Sequence, residues 1–127
     1  MSFIKNSSTD FGLLVLRVMV SMLMIFPHGY SKLIGFSAKM NTFPDPLGIG
    51  SMLSLTGAVF TEFVCSILLI LGIKTRWFSI PLLFTMFIAA FVVHANDPWK
   101  IKEKAIIFGV CYLVLIITGG GKYSVRE

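Results

Sequence analysis

The chain of 127 residues is 56% hydrophobic and only 13% charged, with a mean hydropathy of +0.87. A soluble domain carries about a quarter charged residues, so this composition argues against a water-soluble globule and for the lipid bilayer. The formal charge of +5 comes from basic residues scattered singly between apolar runs; no basic stripe forms, which excludes a nucleic-acid partner and suits loops lying against anionic headgroups.

In chain order, Ser7-Ser8-Thr9-Asp10 offers helix N-caps, and an apolar run interrupted by Arg17 and Ser21 follows as far as Pro27-His28-Gly29. The charge lies inside the run and no small-residue cleavage site follows it, so this segment reads as a retained first membrane helix over about residues 10–31 rather than a signal peptide. Pro27 is expected to bend or end it. Residues 32–50 carry Pro44, Pro46, Gly48 and Gly50 and read as a long loop of the kind that lines or lids a site. A second helix spans about 50–73, with Glu62 near its middle. Lys74-Thr75-Arg76 is a basic turn with the interfacial aromatic Trp77 at its edge. A third helix covers about 77–95, with Pro81 tolerated in its first turn. After Asn96-Asp97-Pro98-Trp99 a fourth helix covers about 103–118 and stops at Gly119-Gly120-Gly121. The expected fold is a single all-α domain, a four-helix transmembrane bundle with both termini on the same side.

Glu62 is the residue the rest must explain. A helix holds it about 15 Å from either end of its apolar run, where an unpaired charge costs roughly 3 kcal/mol or more. Counting inward from the terminal-side boundary puts Arg17 at about 12 Å and Glu62 at about 15 Å. The two are nearly level, so an intramembrane Arg17–Glu62 ion pair is expected. At the opposite boundary His28, Lys32, His94 and Glu103 fall together as a polar pocket. Each has a plainer reading: His28 as a helix-end cap, His94 as an interfacial residue, Glu103 as a first-turn acid favoured by the helix dipole. The set carries more weight than its members, because ionisable groups inside a membrane are functional by default.

Metal is disfavoured because the E-x-x-H pairs of carboxylate-bridged bundles are missing. Haem would need both histidines at one level and is also disfavoured. Cys65 and Cys111 lie level in depth, as a redox pair or as small buried apolar residues. Lys5, Lys74, Arg76, Lys122 and Arg126 on the terminal side balance Lys32, Lys39, Lys100, Lys102 and Lys104 on the other. The basic turn at 74–76 tips the expected orientation towards cytoplasmic termini.

These residues resemble the DoxX family of small four-helix membrane proteins. The likeness rests on Leu16-Arg17, Pro27-His28-Gly29, Lys32, Glu62, the run Leu71-Gly72-Ile73-Lys74-Thr75-Arg76, His94, Glu103 and the closing Gly119 to Val125. The family's closing G-P-G-x-x-S-L-D is matched only loosely by Gly120-Gly121 and Ser124-Val125-Arg126. The resemblance implies a subunit of a membrane redox complex in the bacterial inner membrane, an oxidoreductase component rather than a complete enzyme. It would bind a quinone or similar lipophile and take its electrons from a redox protein partner. The alternative is a non-enzymatic assembly, chaperone or lipid-binding protein. Ser54, Ala58 and Thr61 offer small-residue contacts for a homodimer.

Overall fold

A computed structural model describes the backbone of residues 3–127 and the side chains from residue 7 onward; Lys5, counted above on the terminal side, lies outside the described side chains. The regular elements among the described residues are all helical, with an isolated parallel bridge between Ile73 and Arg126 and no strand. Helix α1 runs Phe3–Met24, widens into a π turn at Ile25–Gly29 and resumes as Tyr30–Ile34. A short α2 follows at Phe36–Lys39. Helix α3 comprises Ser51–Val59, a π turn Phe60–Cys65 and Ser66–Leu71. Helix α4 comprises Thr75–Ile88 and a π turn Ala89–Val93, and α5 is Trp99–Thr118.

Three of these helices, within 7–34, 51–71 and 75–93, are long and apolar enough to cross a membrane. Helix α5 is 20 residues long, yet Lys100, Lys102, Glu103 and Lys104 fill its first two turns and leave a shorter apolar run from Ala105. It begins four residues earlier than expected, directly after Pro98, whose extended backbone (ψ 149°) cannot continue a helix upstream. Glu103 therefore sits one turn inside α5 instead of opening it.

Pro27 does not end α1. The Tyr30 N–H reaches back five residues to the Ile25 carbonyl, and this wider turn absorbs a residue that lacks an N–H and would crowd the turn before it. The helix therefore continues through Lys32, which the sequence had placed in the loop.

The packing is inverted relative to a soluble bundle. Phe84, Phe87, Ile107 and Ile117 are all more than half exposed, whereas Arg17, Ser21, Thr61, Glu62, Ser66, Thr75 and Ser79 are buried. The apolar core beside them is Val20, Met24, Cys65, Leu69, Leu82, Met86, Tyr112 and Leu115. Lipid needs no hydrophobic drive to be kept outside; it needs every polar group turned inward.

Candidate functional site

Helix α1 approaches α3 at Gly29. A Cβ built there would stand 2.6 Å from the Glu62 carbonyl oxygen and 2.8 Å from the Phe63 nitrogen, so only glycine permits the contact. This close crossing joins two π turns, and one helical turn further on it delivers Lys32 to Glu62. Lys32 Nζ donates to Glu62 Oε1 at 2.6 Å, with the carboxylate side chain 6% exposed and the lysine 21%. The paired charges offset each other's desolvation.

Arg17, which the sequence paired with Glu62, is held elsewhere. Its guanidinium donates to the carbonyls of Gly120 and Tyr123, the latter at 2.6 Å, and to Ser124 Oγ at 3.2 Å. The depth count started from too late a boundary, since α1 begins at Phe3; the helix meets Glu62 at Gly29, twelve residues and about 18 Å beyond Arg17. The decisive element is the segment 119–127, which folds back over the end of the bundle. Gly119 and Gly121 take positive φ (73° and 81°), a conformation glycine adopts without strain. They turn the chain so that Lys74 N–H donates to the Arg126 carbonyl and Arg126 N–H to that of Gly72. Glu127 closes the knot by accepting from the Gly120 N–H at 2.9 Å and the Thr75 hydroxyl at 2.8 Å. Burial opposes its charge, but these donors, the Thr75 N–H and nearby Arg17 together hold its carboxyl below the usual carboxylate range.

The expected pocket of His28, Lys32, His94 and Glu103 divides in two. Lys32 and His94 line one cavity of about 430 Å³ together with Glu62. Its walls are the 43–49 loop, the first half of α3 and the outer face of α4, and they are apolar apart from the ion pair, His94, Ser54, Thr61 and Thr85. The Thr85 and Thr61 hydroxyl oxygens lie 3.0 Å apart. His94, at the end of the third π turn, binds Asp97 through Nδ1 at 2.6 Å. Glu103 lies instead along a groove of about 660 Å³ between α1 and α5, beside Lys100 and Lys104. His28 lines neither; it is half-buried in a T-shaped contact with Phe108, the ring centroids 6.0 Å apart.

Among the described residues no three His, Cys, Asp or Glu side chains gather as a metal site. Cys65 and Cys111 are free thiols, the first buried and the second half-buried. Sequence reasoning missed Asp45. Its carboxylate accepts from the N–H groups of Ile49 and Gly50 and from the Ser54 hydroxyl, all within 2.9 Å, tying the loop to the start of α3. The Pro44-Asp45-Pro46 run followed by Gly48 and Gly50 was the available signal.

Apolar outward faces, buried charges and three membrane-length helices define a helical integral membrane protein. The DoxX family model matches residues 12–95, more than half of the chain, and the protein belongs to the DoxX family. It is similar to an uncharacterised protein of Haemophilus influenzae, 28% identical over 121 residues, covering 89% of this chain and 80% of that one. No solved structure matches it.

Proposed function

We propose that the protein binds a quinone or a similar lipophile in the 430 Å³ cavity and serves as a subunit of a membrane redox complex. The observation that carries this reading is the Lys32–Glu62 pair set into a mostly apolar wall. A cavity of that size, mostly apolar with a few placed polar groups, has the character of a small-molecule site. A quinone presents two carbonyl acceptors on a ring that carries a greasy tail. Lys32 and the Thr61–Thr85 hydroxyl pair would meet the carbonyls, and Leu53, Phe84 and Ile88 the tail. Quinone chemistry supplies a two-electron, two-proton change. Glu62 and His94 are the groups on this wall able to give or take protons, and a partner protein would bring the electrons. In this reading α5 is a fourth membrane span, and both termini face the cytoplasm across the inner membrane.

A second reading rests on the 43–49 loop, where Leu47 and Ile49 are half exposed beside the same cavity. That surface would equally accept a lipid chain without any redox step.

The test is mass spectrometry of protein purified in mild detergent. The redox-linked reading expects a stoichiometric quinone that disappears in Lys32→Met and Glu62→Gln and survives in His28→Phe. A stoichiometric phospholipid held by the same residues would replace it with the lipid-binding reading.

A further inference from the structure

Arg17 Nε and the hydroxyls of Ser21, Ser66, Ser79 and Tyr112 make no hydrogen bond within the protein, although each residue is 1% exposed or less. The hydroxyls come one from each of α1, α3, α4 and α5. A helical serine or threonine can usually satisfy itself on the carbonyl four residues back. Thr56, Thr85 and Thr118 do so here. The three buried serines do not, so their hydroxyls are left for something else.

Their spacing places them in one layer. Ser21 lies one turn inward from Arg17, and Ser79 one turn inward from Thr75; both starting residues abut Gly120 in the tail knot. Ser66 lies one turn from Glu62, on the side towards the tail. Tyr112 is close enough to Ser66 and Glu62 to feel both, although its hydroxyl and that of Ser66 complete no bond. The hydroxyl layer therefore stands between Glu62 and the knot of Arg17, Ser124, Thr75 and Glu127.

We propose that this layer is a hydration site, in which ordered water bridges the four hydroxyls and gives Glu62 a proton route to the tail-side surface. Buried polar groups are partnered in native proteins, by water where protein does not serve, and four inward hydroxyls supply the two to four partners one such water needs. Transfer is a relay: Glu62 takes a proton from the neighbouring water, which takes one from the next, so one proton moves and only O–H bonds exchange. The titratable groups facing Glu62 are Lys32 and Tyr112; Cys65 and Cys111 flank Tyr112. The site does not depend on what fills the cavity on the far side of Glu62.

The experiment is X-ray radiolytic labelling of the full chain in lipid nanodiscs in oxygen-18 water, because radiolysis oxidises side chains that touch bound water even when no bulk solvent reaches them. Tyr112 is expected to take up label while equally buried Leu69 and Leu115 do not, and Ser21→Ala/Ser66→Ala is expected to reduce it with Tyr30 unchanged. A Tyr112 that stays unlabelled in the wild type at doses that oxidise Tyr30 and Tyr123 overturns the hydration site. The route is read separately, by infrared spectroscopy of acid-equilibrated film moved into heavy water. The Glu62 carboxyl band, assigned by its loss in Glu62→Gln, should shift several-fold more slowly in the double alanine variant. An unchanged rate would mean that Glu62 exchanges through the cavity mouth near His94, and the relay is overturned.

Discussion

Helix α1 carries two inward-facing cations, and they are held in opposite ways. Arg17 is 1% exposed and bound to two backbone carbonyls and a hydroxyl of the tail. Lys32 is bound to one carboxylate and retains a fifth of its side-chain surface on a cavity wall. A planar guanidinium can fork between several acceptors and lock chain segments together, whereas an ammonium is a point charge that can turn to a new partner. The first site ties its two terminal nitrogens to three acceptors of the tail and does structural work. The second has capacity to spare, which is what a binding site requires.

Arg17→Met tests that contrast most severely. It removes charge-assisted bonds to two carbonyls and a hydroxyl and strands those carbonyls, for a loss of about 4 kcal/mol. Thermal melts in mild detergent should fall accordingly, and Arg17→Lys should recover little, because an ammonium cannot span both carbonyls. A melt unchanged in Arg17→Lys would mean that only the charge matters there.

The next effect is the coupling at Glu62. Lys32→Met leaves a buried carboxylate without its cation, at about 3 kcal/mol, and the double variant with Glu62→Gln should be less destabilised than the sum of the singles. Arg17→Met and Glu62→Gln should simply add, since they share no partner. Reversed couplings would restore the Arg17–Glu62 pair that depth alone suggested.

That reversal shows what was legible in the sequence. Apolar runs broken by single charges announced the helices, and Glu62 stood out because nothing else charged lies near it in the chain. Which cation it meets was not legible. Depth counted at 1.5 Å per residue is only as good as the boundary it starts from, and α1 begins at Phe3 rather than near residue 10; facing depends besides on where the helix winds wide. The π turn at Ile25–Gly29 adds rotation that no regular period predicts. Pro27 was read as a bend or an end, with the helix closing at about residue 31; it runs on to Ile34, so Lys32, assigned to the loop, lies within it. The tail was equally opaque: Gly119-Gly120-Gly121 was visible as a helix stop, but its docking depends on carbonyls and on Glu127 meeting residues more than a hundred and about fifty positions away. Local pattern carries no information about such contacts.

Gly29→Ala breaks the comparison at a third point, and by less. The added methyl meets the backbone of Glu62 and Phe63, which cannot swing aside as a side chain would. Forcing the helices apart should cost about 1–3 kcal/mol while leaving the Arg17 knot intact. Ligand retained on purification should fall further than the melt, since the displacement falls on the cavity wall. Limited proteolysis of the tail should be unaffected; a tail that loosens as well would show the two ends of α1 to be coupled.

The smallest effect is at the loop that closes the cavity. The Gly50 N–H first, then, against the opposing effect of burial, the Ser54 hydroxyl and the N–H groups of Ile49 and Gly48 hold the Asp45 carboxyl below its usual value of 3.8. A carboxylate whose folded value is depressed contributes stability above its unfolded value and loses it as pH falls through the folded one. Hydrogen exchange at the Ile49 and Gly50 amides, taken relative to the intrinsic rate at each pH, should therefore stay slow at neutral pH and quicken only in acid, below the ordinary carboxylate range. Asp45→Ala should make it fast at every pH, with the global melt nearly unmoved because the site is solvent-exposed. Asp45→Asn keeps an acceptor and should lie between them, without the acid step. An acid step that persisted in Asp45→Asn would assign it to another carboxylate, and the loop would lose its claim to be fastened by Asp45.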